Sequence, residues 1–195
     1  MNHYFTSDPG KKPNRKNINF RFLGALETFI SDDGVFSKDT LDFGSRTLLE
    51  TVINRDLKGS LLDLGCGLGY MGILLKKQFP DLEVTMVDIN ETAVQLAEEN
   101  SALHHQNNTC ICSDGISELD MKFDNIVFNP PIRTGKDNIY RLFRESVQHL
   151  NEGGCLYIVI RRQQGAESAV RYLSEMAKVE VIEKKNGYWI LSVCS

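Results

Sequence analysis

Long apolar runs are missing from this sequence, and so is the basic start with an apolar middle that marks a secretory leader. A membrane-spanning or exported chain is not expected, and the location read from the sequence is cytoplasmic. No two of the five cysteines, Cys66, Cys110, Cys112, Cys155 and Cys194, form a C-x-x-C pair, so the common zinc and dithiol signatures are absent. Four of them lie in apolar, strand-like stretches, which favours buried reduced thiols over disulfides or a metal site. Excess positive charge is lacking too, because 22 Lys and Arg stand against 26 Asp and Glu for a net charge of −4. The chain as a whole does not advertise a polyanion partner. Its start differs, since residues 1–24 hold Lys11, Lys12, Arg15, Lys16 and Arg21 against Asp8 alone. That segment suits either a local polyanion contact or plain solvation.

With 195 residues, 42% of them hydrophobic, the chain is long enough for one sizeable core and short for two. Residues 1–24 read as a basic, irregular segment with a strand hint at Phe20, Phe22 and Leu23, and residues 25–195 as a single domain. Leu48, Leu49, Val52 and Ile53 make one face of a helix; strands and helices then alternate. Strands are expected at 61–64, 83–87, 109–112, 122–128 and 155–160, and helices at about 70–79, 91–105, 137–150 and 164–177. Two last strands, 179–183 and 188–193, flank Asn186-Gly187, a strong hairpin signal. The alternation implies an α/β fold: a doubly wound, mostly parallel sheet of seven strands, with one antiparallel strand from the C-terminal hairpin.

In such a sheet ligands collect beyond the carboxyl ends of the strands. Asp63, Gly65, Cys66, Gly67 and Gly69, then Asp88 with Ile89, Asp114 with Gly115, and finally Asn129 all stand at such ends. Glycines let a cofactor approach the backbone, Asp88 is placed to accept from two ribose hydroxyls, and Asp114 can accept from an adenine amine. A nicotinamide dinucleotide fits the same marks, because Gly67-Leu68-Gly69-Tyr70-Met71-Gly72 obeys its glycine pattern with Asp88 at the ribose spacing. Two features favour a methyl donor. Asp63 at the mouth of the loop can balance an ammonium or sulfonium, and the late hairpin departs from an all-parallel nicotinamide domain.

The stretch Asn129-Pro130-Pro131-Ile132 follows a buried strand and is the candidate for the chemistry. Pro131 has no amide hydrogen and forces Pro130 into an extended conformation, which leaves the Pro130 carbonyl without a local partner. With the Asn129 amide, that makes two neutral acceptors one residue apart, a match for an amine carrying two N–H bonds. Asn-Pro is also a common turn opener. Arg133 and Lys136 after this turn, and Arg161 and Arg162 after the fifth strand, share the ligand edge, where they are either solvated charges or phosphate contacts. His104 and His105 read as surface or capping residues.

Asp63-Leu64-Gly65-Cys66-Gly67-Leu68-Gly69 together with Asn129-Pro130-Pro131-Ile132 resembles the class I S-adenosylmethionine-dependent methyltransferases that modify exocyclic amines. Gly34-Val35-Phe36-Ser37 with Leu41-Asp42-Phe43-Gly44-Ser45 is similar to a segment of the small-domain methyltransferases of the 16S ribosomal RNA guanine-N2 group, and the resemblance covers about residues 34–195. It implies a Rossmann-like fold, S-adenosyl-L-methionine as cofactor, guanine N2 as acceptor, and ribosomal RNA or the small ribosomal subunit as partner. It also implies that Asn129 and Pro130 hold the amine for in-line attack. The family usually has an aromatic where Ile132 stands; Phe36 either supplies that stacking or anchors its loop in the core. Larger members carry a further N-terminal domain, so RNA contact here is expected from the basic start or from a partner. Two other functions compete. A protein glutamine-amide methyltransferase uses a similar turn, usually with Tyr after the prolines, and a non-catalytic RNA-binding or ribosome-assembly module would be expected to have lost Asp63, Asp88 and Asn129.

Overall fold

A computed structural model describes residues 14–32, 40–116 and 119–195. In chain order the elements are β1 (Lys16–Phe22), β2 (Ala25–Ser31), α1 (Phe43–Val52), β3 (Ser60–Leu64), α2 (Tyr70–Gln78), β4 (Glu83–Asp88), α3 (Glu91–Leu103), β5 (Thr109–Cys112), β6 (Phe123–Phe128), α4 (Lys136–Gln148), β7 (Leu150–Arg161), α5 (Ala166–Leu173), β8 (Lys178–Lys185) and β9 (Tyr188–Cys194). The last seven strands form one sheet in the order β5-β4-β3-β6-β7-β9-β8. β3 to β7 run parallel, while β9 is antiparallel to both of its neighbours, as the sequence predicts for the closing hairpin. Asn186 and Gly187 both adopt positive φ, 49° and 78°, the reversal a two-residue hairpin needs.

Helices cover both faces, and this is why the central strands read as continuous apolar runs. Leu61 of β3 joins α1, α2 and α3 in one core layer, and Leu62 and Leu64 join α4 and α5 in the other. Each fully buried leucine contributes about 1.5–3 kcal/mol. Among the described residues no helix is long and apolar enough to cross a membrane.

The N-terminal region departs from expectation. Residues 16–22 are not irregular but form β1, which pairs with β2 in a separate antiparallel hairpin. The inward positions of β2 are Glu27, Phe29 and Ser31, and two polar residues on the buried face hide the alternation that would mark a strand. Glu27 is tolerated there because Lys77 of α2 meets both of its oxygens, at 2.7 and 2.9 Å. Phe20 and Phe29 stack at 5.6 Å, with Tyr70 against both rings. His104 is the C-cap of α3, one of the two roles read for it, and is half-buried: it packs on Phe29 at 4.6 Å, and its Nε2 lies 3.0 Å from the Thr28 carbonyl. Arg15, read as part of a basic tail, is ion-paired with Asp32 and Glu99.

Two of the cysteines are not the reduced thiols expected. Cys155 and Cys194 are joined in a disulfide, while Cys66, Cys110 and Cys112 are free thiols. The two stand opposite each other on β7 and β9, in a pair whose neighbour carries the hydrogen bond from Ser195 N–H to the Gly154 carbonyl. Side chains of such a non-bonded pair face each other closely, with Cα atoms 4.2 Å apart here. A separation of 39 residues, bridged only when β9 inserts beside β7, leaves no local mark in the sequence.

One buried polar residue ties the hairpin to the sheet. Asn100 of α3, fully buried, donates to the carbonyls of Ile30 and Leu68 at 3.0 Å and accepts from the Ile30 N–H at 2.6 Å. Asn100→Ala should cost about 2–4 kcal/mol in a denaturant melt, because backbone groups on both sides lose their partners. A change under 0.5 kcal/mol would show that the tie contributes nothing.

Candidate active site

The sheet order reverses between β3 and β6, the place where a doubly wound sheet opens a crevice. Leu64 and Phe128 are paired in register, so the loops starting at Gly65 and Asn129 leave the sheet side by side. Every cofactor candidate lies on this edge.

The first loop is fastened from several sides. Gly65 N–H and Cys66 N–H both donate to the Val87 carbonyl at 2.7 and 2.9 Å, and Gly67 N–H donates to Asp88 Oδ2 at 2.9 Å. Asp88 Oδ1 accepts from Asn90 N–H at 2.9 Å. The expected ribose acceptor therefore also pins the glycine turn, and burial raises its carboxyl above the ordinary value. At Gly67, φ +55°, nothing lies within 4 Å of where a side chain would begin, so the space over the turn is open. Gly69, φ +82°, would instead press a side chain to 3.0 Å from Met86 Sδ.

Asp63 does not stand at the mouth of the loop. It is 0% exposed beneath it, with Oδ2 accepting from Gly72 N–H of α2 at 2.8 Å and Oδ1 without a hydrogen-bond partner among the described residues. Desolvation, partly offset by the Gly72 bond and reinforced by the nearby Asp88, pushes its carboxyl up to about 7. Cys66 is buried beside it, and burial together with the Asp63 charge raises its thiol well above the usual range, which leaves it a packing residue. Ile89 is 37% exposed and offers an apolar face next to Asp88.

At the end of β5, Ser113 Oγ is buried without a partner among the described residues, and Ser113 N–H donates to the Asp88 carbonyl at 3.0 Å. Asp114 is exposed and ion-paired with Arg141 at 2.7 Å. Arg141 also meets Glu145 at 2.9 Å, and a side chain at Gly115 would lie 2.6 Å from Glu145 Oε2. Among the described residues there is no group of three or more His, Cys, Asp or Glu arranged to hold a metal ion.

The second loop contains the candidate for chemistry. Asn129 Nδ2 donates to Ser45 Oγ at 3.0 Å and to Asp42 Oδ1 at 3.4 Å. Asp42 is the N-cap of α1 and accepts from Ser45 N–H at 3.0 Å, so the helix cap and the Asn129 clamp are one network. With its nitrogen committed, the amide turns its oxygen the other way. Among the described residues neither Asn129 Oδ1 nor the Pro130 carbonyl accepts a hydrogen bond. Pro131 leads into a 3₁₀ turn, Ile132–Thr134, closed by Thr134 N–H on the Pro131 carbonyl at 2.9 Å. Ile132 is half-buried against the core layer under α4. Phe36 lies outside the described residues.

The basic edge is not uniform. Arg133 is exposed in the 3₁₀ turn, and Lys136 opens α4 with Nζ 5.0 Å from the Tyr140 ring. Arg161 lies 4.6 Å over the Tyr188 ring, while Arg162 is paired with Glu167 at 3.1 Å. Sequence reasoning missed Ser45, Asn100, Ser113 and Arg141 as parts of the site. Asp42-Phe43-Gly44-Ser45 reads as an ordinary helix cap, and only the tertiary fold brings it to Asn129.

Residues 27–192 match a family described as the methyltransferase small domain, and the chain belongs to that family. A full-length relative, the uncharacterized protein YbxB of Bacillus subtilis, is 42% identical over 193 residues, covering 97% of this chain and 96% of YbxB. Ribosomal RNA small subunit methyltransferase C of Haemophilus influenzae is 40% identical over 136 residues, 68% of this chain and 41% of that protein. The enzyme of that name from Actinobacillus pleuropneumoniae is 42% identical over 167 residues, 81% of this chain and 49% of its own. The chain thus spans about half or less of the named ribosomal RNA methyltransferases. Among solved structures, the Thermus thermophilus 16S rRNA N2 G1207 methyltransferase (RsmC) in complex with AdoMet and guanosine superposes with a TM-score of 0.84 at 25% identity, covering 93% of this chain and 50% of that one. The Rossmann-like class I methyltransferase fold is therefore the fold of this chain, and the cofactor expected from its sequence is the one in that complex.

Asp63 generates a test of the electrostatics. Its carboxyl sits near 7 in the folded chain against 3.8 ordinarily, so the folded state holds its proton longer than the unfolded state. The stabilisation is complete below about pH 4 and is lost as the pH rises to about 7. Measured against Asp63→Asn, which cannot ionise, the wild type should lose about 4 kcal/mol across that window. A constant difference between the two proteins from pH 4 to 7 would contradict the buried, ionisable assignment.

Proposed function

We propose that this chain is an S-adenosyl-L-methionine-dependent N-methyltransferase acting on an exocyclic amine, guanine N2 of 16S ribosomal RNA. One domain, which takes in the β1–β2 hairpin as well as residues 25–195, carries the activity in the cytoplasm, with ribosomal RNA or the small ribosomal subunit as partner. The observation that carries the reading is the clamp on Asn129, which leaves one amide oxygen beside one proline carbonyl. The names of the relatives and the guanosine bound by the Thermus enzyme support it.

The edge fits the cofactor on its own geometry. Space is open above Gly67, and two buried polar atoms, Asp63 Oδ1 and Ser113 Oγ, lack partners among the described residues. Gly65, Cys66, Gly67 and Gly69 would line it, Asp88 would take its ribose hydroxyls, Ile89 its apolar ring face, and Asp114 with Gly115 the adenine end. Asp63, buried under the loop, acts through its field: a cation above it favours the ionised carboxylate. When bound, S-adenosylmethionine supplies an electrophilic methyl group on a sulfonium.

The protein's task is to present the amine. A guanine N2 lone pair is delocalised into the ring and attacks poorly. Asn129 Oδ1 and the Pro130 carbonyl each take one N–H, which fixes the lone pair toward the donor side and stabilises the positive charge that develops on nitrogen. Pro131 keeps the turn extended, and Ile132 braces it on the core. No strong base is needed at this step. A target base within a helix must be flipped out or already unpaired to reach the turn. Arg133, Lys136, Arg161 and Arg162 are the phosphate contacts of this reading, Arg162 after leaving Glu167.

Transfer of tritiated methyl from S-adenosylmethionine to 30S particles, naked ribosomal RNA and cell protein tests the reading, with label expected as N2-methylguanosine. Label in protein alone would replace it with the glutamine-amide reaction. Asn129→Ala should lower kcat about 100-fold or more while leaving donor affinity near that of the wild type. Asp88→Ala should weaken donor binding about 10- to 100-fold. Equal losses in kcat and donor affinity for Asn129→Ala would remove it from the chemistry.

A further inference from the structure

Phe43 is a large exposed apolar residue, 39% accessible, at the first turn of α1. Its ring meets that of Tyr188 at 5.4 Å and 45°, and Arg161 lies over Tyr188 at 4.6 Å. Arg161 and Tyr188 are opposite each other on β7 and β9. The adjoining pair carries the bond from Arg162 N–H to the Gly187 carbonyl at 2.8 Å, so theirs is the non-bonded kind in which side chains come closest. The result is an aromatic and cationic stack on the carboxyl edge of the sheet.

Its position relative to the amine turn is set by Gly44. A side chain there would begin 3.1 Å from both Tyr188 Cε1 and Asp42 Oδ1, so the tyrosine edge and the carboxylate that holds Asn129 flank the same glycine. Meanwhile Ile132, in the turn itself, is drawn onto the core and offers no aromatic face. We infer that Phe43 and Tyr188, backed by Arg161, form a stacking subsite for an unpaired base of RNA that neighbours the methylated nucleotide. Tyr188 is separated from Asn129 by Asp42 and Gly44, which puts the stack one step along the strand from the target. An aromatic ring accepts any base face, so the subsite binds without choosing sequence. The guanidinium laid on Tyr188 keeps its N–H groups at the rim, where the phosphate of that nucleotide passes.

The inference rests on the RNA reading proposed above, and one experiment separates the two. The probe is a single-stranded oligoribonucleotide with 2-aminopurine beside a guanine, read both by fluorescence and by methyl transfer. With the wild type, 2-aminopurine fluorescence should be quenched on binding as the base stacks. Phe43→Leu and Tyr188→Leu, which keep an apolar side chain, should each abolish most of the quench and weaken RNA binding about 5- to 30-fold, with S-adenosylmethionine affinity unchanged. Tyr188→Phe should restore both. Unaltered quench and affinity in the leucine variants, while the wild type still methylates the guanine, would overturn the subsite and leave the activity standing. A wild type that neither binds the oligonucleotide nor methylates 30S particles or ribosomal RNA would overturn both.

Discussion

The nitrogen of the Asn129 side chain has two places to go, Ser45 Oγ and Asp42 Oδ1, and its commitment to them decides what the amide can do. An unanchored asparagine amide presents donor and acceptor equally; one whose nitrogen is held from behind presents an acceptor. Next to it stands the carbonyl of Pro130, which the following proline keeps out of any ladder. Two neutral acceptors select an amine with two hydrogens over a hydroxyl, a carboxylate or a thiol. The clamp also requires α1 to stop against the sheet at the right height, and its packing on β7 and β9 does this.

The neighbouring glycine turn follows a similar logic. Asp88 and the Val87 carbonyl fasten it from β4, and Asn100 reaches its underside from α3. Because Asn100 is also bonded to Ile30, the N-terminal hairpin braces the cofactor edge although it is not part of the central sheet. Asp63 completes the arrangement as a buried acid under the turn, bonded once, with its carboxyl raised by desolvation; a cation above the turn would favour its ionised form.

Much of the fold was legible because strands covered on both faces advertise themselves as short apolar runs ending in Asp63, Asp88 and Asn129. The Asn186-Gly187 reversal was legible for a local reason, positive φ at both residues. What escaped depended on contacts between distant segments. β2 hid because Glu27, on its buried face, is neutralised by Lys77, fifty residues away. The Cys155–Cys194 bridge and the Arg161–Tyr188 stack both arise from the register of β7 with β9, which no local pattern encodes. In the site, the strand-end acids and glycines could be read one by one, whereas the role of Ser45 could not, since its helix-cap pattern is complete without Asn129.

The most direct measurement is a structure of the chain with S-adenosylhomocysteine and guanosine, at a resolution that assigns the Asn129 amide. The account predicts guanine N2 within about 3.2 Å of both Asn129 Oδ1 and the Pro130 carbonyl, with Nδ2 still on Ser45. An amide turned to offer its nitrogen to the base, or a guanine whose N2 meets neither oxygen, would contradict it.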